Sequence, residues 1–144
     1  MPKQEKLDEM YMAIASEVNT LSYCKRKKVG CIIVDNNNIL SMGYNGTPSG
    51  FNNECENQDG TNWWVLHAEA NAIAKVARHK NGSTDGTTLY TTCSPCKECA
   101  KLIIQAGIKR VVYRDVYRDE PQLAYEALDL LKQADIEVNG LLKY

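Results

Sequence analysis

Hydrophobic positions along this chain recur at two different spacings. Met10, Ile14, Val18 and Leu21 follow one another three or four residues apart, so residues 7–23 predict a helix with one apolar face. Residues 29–34, Val-Gly-Cys-Ile-Ile-Val, are a short β-branched run and predict a buried strand. Asp35 and three asparagines make a turn, and residues 39–44 return as a second strand, which together predict a hairpin. Residues 45–63 show no periodicity and read as a long loop, a length that more often carries function than filler. The alanine-rich stretch 65–78 predicts a helix, stopped near Asn81-Gly82. Strand 87–92, a helix begun by Pro95 and stopped by Gly107, strand 108–113, helix 121–133 and strand 136–138 complete the chain.

The resulting order is α-β-β-α-β-α-β-α-β. The strand-helix units from 87 onward predict parallel pairing with right-handed crossovers, and the first two strands an antiparallel hairpin. The expected fold is a three-layer α/β/α arrangement around a mixed sheet of about five strands, occupying residues 1–144 as one domain. No internal repeat or linker divides it.

Composition narrows the function. Seventeen basic against eighteen acidic residues leave a net charge of -1, which argues against a general nucleic-acid coat or a membrane-surface protein. No apolar run reaches the roughly 18 residues of a membrane span. The N-terminal segment lacks the apolar core of a secretory leader, which predicts a cytoplasmic, reducing setting. There, six cysteines (24, 31, 55, 93, 96 and 99) predict metal binding or chemistry rather than disulfides.

Two segments carry the chemistry. His67-Ala68-Glu69 opens one predicted helix, and Pro95-Cys96-Lys97-Glu98-Cys99 opens another. Cys96 and Cys99, three apart at a helix start, present their sulfurs on one face, where helix N–H groups favour thiolates. His67 supplies a third ligand if the two helix starts converge. Three protein ligands with a fourth position left for water describe a catalytic zinc. Two helical steps turn about 200°, so Glu69 should point away from His67's ligand direction and stand beside the metal-bound water as its proton acceptor. In this order the segments match the H-x-E…P-C-x-x-C pattern of the zinc deaminases, whose Glu is the general acid/base. A closed structural site would need a fourth ligand. Cys93 is the available one, though lining or packing suits its place at a strand end better.

The chain resembles the deoxycytidylate (dCMP) deaminase family over about residues 16–113. The resemblance rests on Cys24-Lys-Arg-Lys-Lys-Val-Gly30, Gly43-Tyr-Asn-Gly-Thr-Pro-Ser-Gly50, the His67-Ala-Glu segment and the residues from Ser94 to Ile108. It implies hydrolysis of dCMP to dUMP and ammonia, with Zn2+ on His67, Cys96 and Cys99, and Glu69 moving protons. It also implies that the Ala68 N–H bonds the pyrimidine carbonyl and that the Ser94 carbonyl accepts from the exocyclic amine. Asn45 matches the family position that contacts the deoxyribose; by itself Asn45-Gly46 reads as a turn.

Arg26 and Lys28 are candidate phosphate partners, against the alternative of a solvated basic loop. Tyr113 either packs on the base or belongs to the core. Arg114 and Arg118 are further phosphate or interface candidates. The family further implies a hexamer, activated by dCTP with Mg2+ and inhibited by dTTP.

Some relatives hold a second zinc on cysteines equivalent to Cys24 and Cys55 with histidines. This chain has only His67 and His79, and His79 suits the end of a helix, where it complements the dipole. Trp63 and Trp64 suit an interface or the core better than a stacking platform. Two other readings stay open: a zinc deaminase of free nucleosides or nucleobases, or an inactive nucleotide-binding module that kept the fold.

Overall fold

A computed structural model describes residues 3–117 and 120–141. Helix α1 runs Gln4–Asn19, earlier at both ends than the apolar spacing implies. Gln4, Glu5 and Lys6 are good helix formers outside that spacing, and Thr20 caps the end. The buried face is Asp8, Tyr11, Met12, Ala15 and Val18 rather than the one through Met10 and Leu21, which are 47% and 50% exposed. The reason lies across the interface. A Cβ on Gly30 would fall 2.0 Å from the Ala15 carbonyl oxygen, so the missing side chain lets the helix lie on the strand along its Ala15 side.

Strands β1 (Gly30–Asp35) and β2 (Asn38–Tyr44) form the expected hairpin. Its two-residue turn places Asn36 at φ 47° and Asn37 at φ 63°, the left-handed pair that matches strand twist and that asparagine tolerates. The long loop that follows carries a small hairpin that no periodicity signals, β3 (Glu56–Asn57) and β4 (Gly60–Thr61). Helix α2 (Ala68–His79), β5 (Thr88–Cys93), α3 (Lys97–Gln105), β6 (Arg110–Asp115), α4 (Pro121–Gln133) and β7 (Glu137–Gly140) complete the chain.

The main sheet has the order β2-β1-β5-β6-β7. β1 pairs antiparallel with β2 and β5, and β5, β6 and β7 run parallel through helical crossovers. α1 covers one face over Ile32, Val34, Tyr90 and Val112. α2, α3 and α4 cover the other over Cys31, Ile33, Leu89 and Val111. Cys31 is a fully buried small hydrophobe. A second glycine sets the active layer: a Cβ on Gly43 would meet the Ala68 carbonyl oxygen and the Ala72 nitrogen at 2.5 Å. α2 therefore rests its first turn directly on β2, which places that turn beside the C-terminal end of β5.

On the α1 side, Arg110 holds Asp8 with two parallel bonds of 2.8 and 2.7 Å, and Tyr90 donates to the same carboxylate at 2.6 Å. This buried cluster ties the first helix to two strands far away in sequence.

Candidate active site

α2 begins at Ala68, three residues later than the alanine pattern implies, and His67 is its extended N-cap. The pair straddles the helix start, so a 200° turn of two helical steps does not separate them. His67 turns outward from the cap, while Glu69 enters the first turn and is buried, 4% exposed. Cys96 is likewise the N-cap of α3, and its sulfur accepts the Cys99 N–H at 3.5 Å. The helix start thus supplies its own donor to a thiolate.

The two helix starts converge at the carboxyl end of β5. His67 Nδ1 lies 3.3 Å from Cys96 Sγ and 3.3 Å from Cys99 Sγ. All three donor atoms fall within 4.8 Å of one another. Tetrahedral zinc with ordinary bond lengths spaces a nitrogen and a sulfur ligand about 3.5 Å apart, so this donor set fits that ion. Cys93 is not part of the group and lines the cleft instead.

Electrostatics split the two thiols and raise the carboxyl beside them. Hydrogen bonding from Cys99 pulls the Cys96 thiol well below its ordinary value, against the opposing effect of burial. The same contact, with burial and nearby Glu69, pushes Cys99 up. The Cys96 contact raises His67, and burial raises the Glu69 carboxyl above the usual carboxylate range.

The site opens into a cleft of about 770 Å3. Arg26, Asn45, His67, Ala68, Glu69, Ser94 and Cys96 line it, so most of the expected residues meet there. Cys99 sits buried behind them. Asn45 spends its amide on the basic loop, donating to the Lys27 carbonyl at 2.7 Å and accepting from the Val29 N–H at 2.8 Å.

Three expected positions lie elsewhere. Lys28 is not a lining residue; its Nζ donates to the Ser22 carbonyl. Tyr113 packs on the sheet, its hydroxyl 2.8 Å from where a Cβ on Gly140 would sit. Arg114 binds Ser16 and Asp115 on the α1 side. Arg118 lies outside the described residues.

Two residues that the spacing argument missed stand in the cleft. Lys27 and Tyr117 both line it, with the Lys27 ammonium 4.7 Å from the Tyr117 ring centre. Sequence singles out Arg26 and Lys28 among the basic residues at 25–28, but the loop's path turns Lys27 rather than Lys28 into the cleft.

The cysteine expectation is corrected at one pair. Cys24 and Cys55 are joined as a disulfide, across 31 residues. The long loop folds back over the basic loop, and Glu56 accepts the Lys25 and Arg26 N–H groups at 2.9 and 3.2 Å. Those two bonds bring the cysteines together, a proximity that sequence separation hides. Glu56 joins the two sulfurs in a second close donor group, which includes neither histidine. His79 ends α2 beside Arg78, as the dipole favours. Trp63 is 89% exposed and edge-on to Trp64, and neither lines the cleft.

A sheet of this topology with a His-Cys-Cys donor set and a buried carboxylate beside it defines the zinc-dependent deaminases as a class. Residues 5–115 match the family model described as the cytidine and deoxycytidylate deaminase zinc-binding region. The deoxycytidylate deaminase of Saccharomyces cerevisiae is 35% identical, over 91% of this chain and 43% of its own length. That of Enterobacteria phage T2 is 34% identical, over 92% of this chain and 90% of its own. The crystal structure of the dCMP deaminase from cyanophage S-TIM5, in complex with dCMP and dUMP, superposes with a TM-score of 0.88 and 47% identity. It covers 98% of this chain and 100% of that one. The chain thus spans under half of the yeast enzyme but nearly all of the phage ones. It belongs to the cytidine and deoxycytidylate deaminase family.

Proposed function

We propose that the protein hydrolyses dCMP to dUMP and ammonia. One observation carries the reading: a His67-Cys96-Cys99 donor set with buried Glu69, in a cleft that Arg26 and Lys27 also line. The cyanophage relative solved with dCMP and dUMP supports the substrate.

His67, Cys96 and Cys99 would hold the zinc ion, whose chemistry is to acidify a water for attack on C4 of the ring. Glu69 takes a proton from the water and passes it to N3. It then moves the remaining hydroxyl proton to the departing amine, so that the C4–N4 bond breaks as the C4 carbonyl forms. The Ala68 N–H, at a helix start whose amides have no partner within the helix, bonds the pyrimidine carbonyl. The Ser94 carbonyl accepts from the amine. Ser94 is buried and held by the Asp115 carbonyl at its N–H, at 2.7 Å. Asn45 faces the deoxyribose, and Arg26 with Lys27 meets the phosphate.

Steady-state assays on dCMP and deoxycytidine test this. A charged contact to the phosphate is worth about 10- to 100-fold in kcat/KM. Arg26→Ala should raise KM for dCMP about 10-fold and leave deoxycytidine unchanged. A preference for the nucleoside, or equal effects on both substrates, removes the reading. The family resemblance extends the proposal to a cytoplasmic hexamer controlled by dCTP with Mg2+ and by dTTP. Light scattering and the same assay with each triphosphate test those parts, and a flat response to both nucleotides removes the regulation. Among the described residues, no helix is long and apolar enough to cross a membrane.

A further inference from the structure

β5 turns Leu89, Thr91 and Cys93 toward the α2–α3 layer, by the alternation of a strand. Leu89 belongs to the apolar core there, and Cys31, the cross-strand partner of Thr91, belongs to it too. Thr91 is 0% exposed. Valine would fill the same volume without a polar group, and a buried hydroxyl destabilises unless it is bonded. The hydroxyl therefore has to be explained by what it touches.

Thr91 Oγ1 lies 2.8 Å from the Cys93 carbonyl oxygen and 3.4 Å from Glu69 Oε1. A hydroxyl carries one proton and two lone pairs. With its proton on the Cys93 carbonyl, it can accept from a protonated Glu69. With the proton swung across, it can donate to the Glu69 carboxylate. It therefore serves both forms of the carboxyl without moving the backbone.

Thr91 is not among the three donor residues, so its hydroxyl keeps its proton whether or not a metal is bound.

We propose that Thr91 is a positioning residue: its hydroxyl holds the Glu69 carboxyl at the reacting centre through both stages of proton movement. The inference rests on the reading above, that Glu69 moves protons between water and the ring.

The test compares Thr91→Val, Thr91→Ser, Thr91→Ala and Glu69→Gln in the zinc-loaded protein. For each, kcat and KM for dCMP, zinc per chain and the melting temperature are measured. Loss of the hydroxyl alone, in Thr91→Val, should lower kcat by about 10-fold or more, because misplacing a reacting group is costly. KM and zinc content should stay at wild-type values. Thr91→Ser keeps the hydroxyl but opens a methyl-sized gap; it should melt lower than wild type yet retain kcat within about threefold.

Ala and Ser both lack the methyl and differ only in the hydroxyl. Their ratio of kcat should therefore repeat the threonine-to-valine ratio, and it answers the question even if the Val variant does not fold. A Val variant with wild-type kcat, or a Ser variant as slow as Ala, overturns the inference. If Glu69→Gln is inactive in those cases, only the role of Thr91 fails. If Glu69→Gln deaminates like wild type, the proposed function's mechanism fails with it.

Discussion

Asn45 grips the carbonyl of Lys27 with its side-chain amide at 2.7 Å, and its carbonyl oxygen takes the Val29 N–H at 2.8 Å. The end of β2 thereby dictates the path of the basic loop, and with it which cations face the cleft. Asn45→Ala removes both bonds. We expect KM for dCMP to rise about 10-fold or more, with a smaller rise for deoxycytidine, since the proposed phosphate partners lose their placement. Equal rises for the two substrates would restrict Asn45 to the sugar.

Metal removal should destabilise as well as inactivate. An ion that binds only the folded chain adds RT ln(1 + [L]/Kd), about 4 kcal/mol at a thousandfold excess over Kd. Dialysis against a chelator should lower the melting temperature, and zinc should restore it. Cys96→Ser should take zinc from one per chain toward none, read by atomic absorption, and abolish the zinc-dependent part of the melting shift.

The Asp8–Arg110 pair predicts an acid limit to stability. Burial by itself would raise the Asp8 carboxyl, but bonds from Arg110, Tyr90 and Gln4 outweigh it and hold Asp8 below its ordinary value of 3.8. A group depressed by folding contributes fully above its unfolded value and loses that contribution as pH falls through the folded one. Asp8→Asn strands a largely buried guanidinium and should cost about 3 kcal/mol at pH 7. The cost sits at the low end of its range because Glu137 and Asn139 still hold the Arg110 Nε. Urea melts should show the gap between wild type and variant closing as pH drops below about 4. A gap constant from pH 7 to pH 3 would refute the ionic origin.

The Cys24–Cys55 bond leaves four free cysteines, 31, 93, 96 and 99. Thiol titration in denaturant without reductant should count four, and six after reduction. Closing a loop of 31 residues stabilises by about 4 kcal/mol, so Cys24→Ser should lower the unfolding free energy by that order. Six thiols in the untreated protein would show the pair reduced.

Sequence by itself determined the order of the five main-sheet strands and four helices, the mixed sheet, and the grouping of His67, Glu69, Cys96 and Cys99 as one candidate set. Each of these rests on short spacing: apolar periodicity for the strands and helices, and three residues between donors at a helix start. It could not orient α1, because the Gly30–Ala15 approach that turns Tyr11 inward and Met10 outward joins residues far apart in the chain. It could not choose among Arg26, Lys27 and Lys28, whose directions follow from Asn45 and from Ser22, nor separate Tyr113 on the sheet from Tyr117 in the cleft.

The Cys24–Cys55 bond and the Thr91–Glu69 contact belong to the same group. Both depend on where a loop or helix lands after the sheet has formed. Local pattern encodes which residues have the right chemistry; only tertiary packing decides which of them share a space.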